Sequence, residues 1–191
     1  MKKDRGEVLC FLVLQFFLIK NVILNKKTAM LPRTYLSSDF GWWEITGSEL
    51  GIRTIHLVEN PDPENRETPP ELREAVQQMQ EYFEGKRTHF DLKLDWSGAP
   101  DFHRQVWAEL LKIPYGKTTT YLAIAEALGD KNSVRAVGQA NRNNPIAVVV
   151  PCHRVIAKSG ELQGYFYGLD MKRRLLELEN PVKYARQGEL F

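Results

Sequence analysis

A chain of 191 residues, 43% hydrophobic and 10% aromatic, has material for one good core or two small ones, with no low-complexity tract or internal repeat. Residues 1–29 carry six Lys/Arg against two Asp/Glu, residues 30–96 seven against thirteen and residues 97–191 thirteen against nine, so the second half is the one suited to a polyanion, although a solvated surface accounts for charge alone equally well. Two cysteines, Cys10 and Cys152, argue against a disulfide framework, and the scattered histidines (His56, His89, His103, His153) against a zinc set, so the expectations are a reduced cytoplasmic setting and no metal.

Residues 1–29 form an extension. Lys2, Lys3 and Arg5 precede the apolar run Val8 to Ile19, which imitates a secretory leader but lacks a small-residue cleavage site. The run is short for a membrane span, so an upstream extension created by start-site choice is preferred over an anchor. Residues 30–96 are expected to form a small α/β domain. Trp42-Trp43-Glu44-Ile45 and Ile52 to Val58 are β-rich and flank the turn chemistry of Gly47 to Gly51. A helix is expected from Pro69-Pro70 to Gly85 with Leu72, Val76, Met79 and Phe83 as its apolar stripe, and a strand from Phe90 to Trp96.

Ser97-Gly98-Ala99-Pro100 reads as a linker opening a second domain over residues 97–184, with residues 185–191 as a tail. Asp101 is positioned to cap a helix that buries Phe102, Val106 and Leu110. Two short helices follow, about Thr120 to Leu128 and Val134 to Asn141, the second capped by Asn132 or Ser133; together they read as a helix-turn-helix. On the second, Arg135, Gln139 and Arg142 share one face and Val134 and Val137 the other, while Ala136, Gly138 and Ala140 are small enough for close approach to a ligand. This face alone is explained as well by an ordinary amphipathic helix. The apolar run Ile146 to Val150 reads as a buried strand, and Leu169 to Leu178 as a C-terminal helix.

Pro151-Cys152-His153-Arg154-Val155 changes that balance. A lone cysteine after an apolar run is usually an inert hydrophobe, but here a base and a positive charge adjoin it, both able to favour a thiolate. Neighbouring residues on an extended chain point to opposite sides, so a water would carry the proton between Cys152 and His153, with Glu179 a candidate to orient the imidazole.

The block from Ile113-Pro114-Tyr115-Gly116 through Thr120-Tyr121, the helix Arg135 to Pro145 and the Pro151 to Ile156 signature resemble the O6-alkylguanine-DNA alkyltransferases. That resemblance implies a mixed α+β fold, with an RNase H-like first domain and a helical, winged-helix-like second one. It implies irreversible, single-turnover transfer of an alkyl group from O6-alkylguanine in double-stranded DNA to Cys152 after nucleotide flipping, with no cofactor. O4-alkylthymine stays open as a second substrate. The chain would act as a monomer with no obligate protein partner. By the same resemblance His153 and Glu179 activate Cys152, Tyr121 assists departure of the guanine, and Arg135 enters the base stack. Ala136, Gly138, Gln139 and Arg142 would face DNA. Asn144 would support the active-site turn, and Val155, Tyr165 and Phe166 would help hold the flipped base. Tyr167 departs from the family's Gly-Tyr-x-Gly-Gly-Leu pattern and is expected to narrow the pocket. Competing readings are a lesion sensor, a cysteine-bearing DNA-binding regulator and a Cys-His hydrolase.

Overall fold

Three β-rich segments build the first sheet in the computed structural model, which describes residues 31–62 and 67–184. The N-terminal extension and the C-terminal tail lie outside the described residues. Strands β1 (Arg33–Ser38), β2 (Gly41–Ser48) and β3 (Gly51–Val58) form an antiparallel meander in that order. Trp43, Ile45 and Ile55 point inward and are fully buried. Gly51 has a positive φ of 134°, and a Cβ there would fall 2.5 Å from the Lys93 carbonyl oxygen, so only glycine fits this turn.

The outer edge of β3 is shared by two later segments. Ile52 N–H donates to Lys93 O and Asp95 N–H to Ile52 O, both at 2.8 Å. Three residues along, Ile55 N–H donates to Pro145 O at 2.9 Å and Ala147 N–H to Ile55 O at 3.1 Å. Each segment obtains the bonds of one edge residue, so Phe90 to Trp96, predicted as a strand, makes only a single bridge at Leu94. The edge has no room for a full ladder with both.

Helix α1 (Arg73–Phe83) follows a 3-10 turn at Pro70–Leu72. Its buried residues are Ala75, Gln78, Met79 and Tyr82, Leu72 of the preceding turn is buried with them, and Val76 and Phe83 are only partly covered. The stripe is thus rotated toward Tyr82, whose buried hydroxyl has a partner in Glu179 at 2.7 Å. Helix α2 (Asp101–Leu111) buries Val106, Trp107 and Leu110. Asp101 does not cap it: Pro100 occupies the cap position, and the Asp101 carboxylate lies in the first turn, paired with Arg104. Trp107 Nε1–H donates to Ala140 O at 2.8 Å and so ties α2 to a later helix.

Strand β4 (Thr119–Thr120) leads into α3 (Tyr121–Ala127), capped by Thr120 Oγ1, which accepts from Ala123 N–H at 3.1 Å. A 3-10 turn at Lys131–Ser133 then precedes α4 (Val134–Arg142). Ser133 occupies the cap position of α4, as expected, but its side chain makes no capping bond there; Asp130 caps the preceding 3-10 turn, accepting from Asn132 N–H at 2.9 Å. On α4, Arg135, Gln139 and Arg142 are exposed, Val137 and Ala140 are buried and Val134 is half-buried. After a 3-10 turn at Cys152–Arg154, β5 (Val155–Ile156) pairs parallel with β4. Helices α5 (Gly168–Glu179) and α6 (Pro181–Tyr184) complete the described chain.

The run Ile146 to Val150 is not a strand, although all five residues are buried. It reverses on itself: Val150 N–H donates to Ile146 O at 3.0 Å and Val149 N–H to Ala147 O at 2.9 Å, with Val148 at a φ of 71°. A β-branched residue in this left-handed region costs about 1–3 kcal/mol and persists only where surrounding contacts over-determine it. From Pro32 to Tyr184 the described residues belong to one compact unit, and one core cluster takes in Trp43, Ile55, Trp107, Val137 and Leu175. Among the described residues no helix is long and apolar enough to cross a membrane.

Candidate active site

The reversal at Val148 has its anchor in Asn144. The Asn144 Nδ2 amide donates to Val150 O at 2.8 Å and to Cys152 Sγ at 3.1 Å, and approaches Ile146 O at 3.4 Å. Its Oδ1 accepts from Ile146 N–H at 3.0 Å. One buried side chain therefore supplies the bonds that a strand partner would have supplied, and fixes the cysteine at the same time.

Burial pushes the Cys152 thiol above its ordinary value. The Asn144 bond, the Lys172 charge and the Cys152 and His153 backbone N–H groups pull the other way without reversing it. The resting sulfur is a thiol, and reaction requires a base.

His153 is fully buried, with Nε2 2.9 Å from Glu179 Oε1. Glu179 also receives Arg154 Nε at 2.9 Å and Nη2 at 2.8 Å, Tyr82 Oη at 2.7 Å and Gly116 N–H at 3.0 Å. Burial alone would raise its carboxyl, but the hydrogen bonds of His153 and Arg154 and the Arg154 charge hold it well below the usual carboxylate range. Burial also pushes His153 below its ordinary value, against the pull of Glu179. These directions assign an ionised Glu179 accepting from a neutral His153 through Nε2–H, which leaves Nδ1 as the basic nitrogen. That Nδ1 is buried with no hydrogen-bond partner among the described residues. Arg154 does not face the thiol. The 3-10 turn aims it into Glu179 and onto Ile113 O at 2.7 Å, so its charge serves the carboxylate.

This network makes stability pH-dependent with a definite sign. Both groups have folded-state values below their unfolded ones, so both contributions are complete at neutral pH and are lost on acidification. Thermal melts should fall first as pH drops below about 6.5, where unfolded-state histidine takes up a proton, and again below about 4.3, where unfolded-state glutamate does. A melting temperature flat from neutral pH to the carboxylate range would contradict the neutral His153 assignment.

A cavity of about 360 Å³ opens over the sulfur. Cys152, Asn144 and Ala147 line it with Tyr121, and Gly138 and Arg142 contribute from α4. Gly164, Tyr165, Phe166 and Tyr167 line it from the loop before α5. No side chain would collide with a Cβ at Gly138, so the glycine leaves open space there. Of the residues singled out in the sequence, Arg135, Ala136 and Gln139 lie on the exposed face of α4 outside the cavity. His153 and Glu179 are buried and do not line it. Val155 does not line it either: it is buried in β5, its carbonyl taken by Lys172 Nζ at 2.6 Å.

Lys172 and Asn141 went unrecognised in the sequence. Lys172 is fully buried, and its ammonium also donates to Gln163 O at 2.7 Å and Gly164 O at 3.3 Å, tying the cavity loop to β5. Burial lowers it to about 8. The signal was available: Lys172 and Glu179 stand seven residues apart on the stripe that carries Leu175 and Leu176. Asn141 lines the cavity, and its Oδ1 is buried without a partner.

Residues 31–96 match the family described as 6-O-methylguanine DNA methyltransferase, ribonuclease-like domain, and residues 101–181 match 6-O-methylguanine DNA methyltransferase, DNA binding domain. The chain belongs to the 6-O-methylguanine DNA methyltransferase family. It is 43% identical over 154 residues to a methylated-DNA--protein-cysteine methyltransferase of Mycolicibacterium paratuberculosis, covering 78% of this chain and 93% of the relative. A Methanosarcina barkeri relative of the same name is 42% identical over 151 residues, covering 75% and 94%. Among solved structures, the Mycobacterium tuberculosis O6-methylguanine methyltransferase superimposes with a TM-score of 0.69 at 41% identity, covering 83% of this chain and 96% of that one. Mycobacterium tuberculosis OGT in complex with DNA gives 0.68 at 42% identity, covering 77% and 91%. The mixed α+β architecture expected from the sequence is therefore that of the methyltransferase family: a ribonuclease-like domain followed by a helical DNA-binding domain.

Proposed function

We propose that the chain reverses O6-alkylguanine damage in double-stranded DNA by moving the alkyl group irreversibly onto Cys152. The observation that carries this reading is a buried thiol at the floor of an open cavity, backed by a neutral imidazole held on a buried carboxylate. His153 Nδ1 takes the thiol proton through a bridging water as the sulfur attacks the alkyl carbon. The carbon–O6 bond breaks with its electron pair staying on guanine, and the Tyr121 hydroxyl supplies a proton to the departing base. The imidazolium returns a proton to Tyr121 through solvent. A thioether is left on Cys152, and it is not a leaving group, so one molecule repairs one lesion.

An alkyl group at O6 is out of reach inside the duplex, so the nucleotide must be extruded at a cost of a few kcal/mol. Arg135 fills the vacated stack and offsets part of it. Ala136 and Gly138 allow the helix to approach the minor groove closely, with Gln139 and Arg142 beside them, and α3 with α4 acts as a helix-turn-helix. Asn144 holds the active-site turn, while Tyr165 and Phe166 flank the base. Tyr167, at a position where the family pattern has glycine, narrows the cavity against wide adducts such as benzyl. The chain works as a monomer and takes no cofactor.

Intact-protein mass spectrometry after mixing with duplex DNA holding one O6-methylguanine tests this, with Cys152→Ala as control. The expected result is one methyl on Cys152, stopping at one equivalent. Binding without mass gain would replace repair with lesion sensing, and repeated turnover would favour a hydrolase.

A further inference from the structure

The wall residue Tyr167 meets Tyr165 and Phe166 of its own loop edge-on at 5.6 and 5.0 Å, and its remaining contacts reach into the other domain. Its ring meets Trp43 of β2 edge-on at 6.0 Å, and its hydroxyl lies 2.9 Å from Nδ1 of His56 on β3. Both partners belong to the ribonuclease-like domain, whereas the face of Tyr167 lines the cavity over Cys152. The segment from Ala157 to Tyr167 contains no helix or strand. Lys172 restrains it at Gln163 and Gly164, and it ends where α5 begins at Gly168. Between those points the aromatic contacts and the His56 bond fix where Tyr167 stands.

We infer that His56 is a specificity-determining positioning residue, whose bond from the ribonuclease-like domain makes Tyr167 a rigid wall and so sets the width of adduct the DNA-binding domain accepts. The inference rests on the reading that the cavity receives the alkyl group and that Tyr167 narrows it. A methyl group leaves the wall in place. A benzyl group needs the ring to swing, and swinging separates a phenol and an imidazole that are both part-buried and must then find other partners. His56 cannot follow easily, because it is a β3 residue paired across the sheet with Glu44. Glu44 is itself held by Tyr35 Oη at 3.0 Å and Arg33 at 3.5 Å. Burial keeps His56 below its ordinary value, in keeping with a neutral ring that bonds a phenol rather than an acid.

The test compares single-turnover transfer to Cys152 from O6-methylguanine and O6-benzylguanine duplexes, scored as the benzyl-to-methyl rate ratio. His56→Phe and Tyr167→Phe should each raise the ratio about five- to tenfold, the factor expected for one hydrogen bond. The double variant should rise no further than Tyr167→Phe alone, because the hydroxyl lost there is the one His56 holds, together with its bond to the Leu57 backbone. His56→Asn, whose amide can stand where Nδ1 stood, should return the ratio to near the parent value. Tyr167→Gly should raise it most. An unchanged ratio in His56→Phe and Tyr167→Phe, with a raised one in Tyr167→Gly, removes His56 from the mechanism while the wall stands. An unchanged ratio in Tyr167→Gly removes the wall itself. Effects that multiply in the double variant refute the shared bond. Should His56→Phe fail to fold by thermal melt, His56→Ala takes its place, since Tyr167→Phe also removes the hydroxyl's bond to the Leu57 backbone.

Discussion

Glu179→Gln should destabilise the protein by about 3–5 kcal/mol and slow transfer to Cys152 at least a hundredfold. The carboxylate accepts from His153, Arg154, Tyr82 and Gly116, and it is fully covered. An amide keeps one acceptor oxygen and turns an NH₂ toward donors that need an acceptor. Arg154, with 7% of its side chain exposed, would be left as a buried cation with no countercharge. The kinetic loss has a separate origin: without the carboxylate, the imidazolium formed as His153 takes the thiol proton has no stabilising partner. Urea unfolding followed by single-turnover kinetics separates the two effects. A variant that unfolds at the parent midpoint, or transfers within a few-fold of the parent rate, would remove Glu179 from the centre of the site.

The second large effect is expected at Asn144. Asn144→Ala removes the donor to Val150 O and Cys152 Sγ and the acceptor for Ile146 N–H, all buried. Each orphaned buried group costs about 1–3 kcal/mol, and the left-handed Val148 loses what over-determines it, so a total near 3–4 kcal/mol is expected. The Asn144 bond also lowers the thiol, so its loss sends Cys152 further up. Alkylation of Cys152 by iodoacetamide, followed against pH, should shift to higher pH in the variant. A profile that stays in place would mean that the amide supports only the turn.

Sequence alone goes far where local pattern and tertiary role agree. β-rich composition on either side of the Gly47 to Gly51 turn finds β2 and β3, and the i, i+4, i+7 spacing of Arg135, Gln139 and Arg142 finds the exposed face of α4. It fails where a side chain replaces the backbone as bonding partner. Ile146 to Val150 reads as a strand because hydrophobicity does not reveal that Asn144 closes it into a turn. Phe90 to Trp96 alternates like a strand, but the edge it reaches is divided with Pro145 to Ala147. Lys172 reads as solvated because lysine on a helix usually is, and only its shared stripe with Glu179 hints otherwise. Arg154 looks like a neighbour of the thiol and proves to be a neighbour of the carboxylate. The meeting of His56 and Tyr167 leaves no local trace at all.

The divided edge of β3 also bears on how quickly a working molecule can be made. Ile55 can bridge to Ile146 only after a loop of roughly ninety residues has closed, a step whose entropy must be lost before its bonds form. The same bridge carries Pro145 and Ala147, at the start of the segment that Asn144 organises. The early meander and its helix can therefore assemble from local contacts, while the cysteine acquires its surroundings only when the distant halves of the chain meet. Competence for chemistry thus depends on closing that long loop, a requirement of topology rather than of the stability of any one helix.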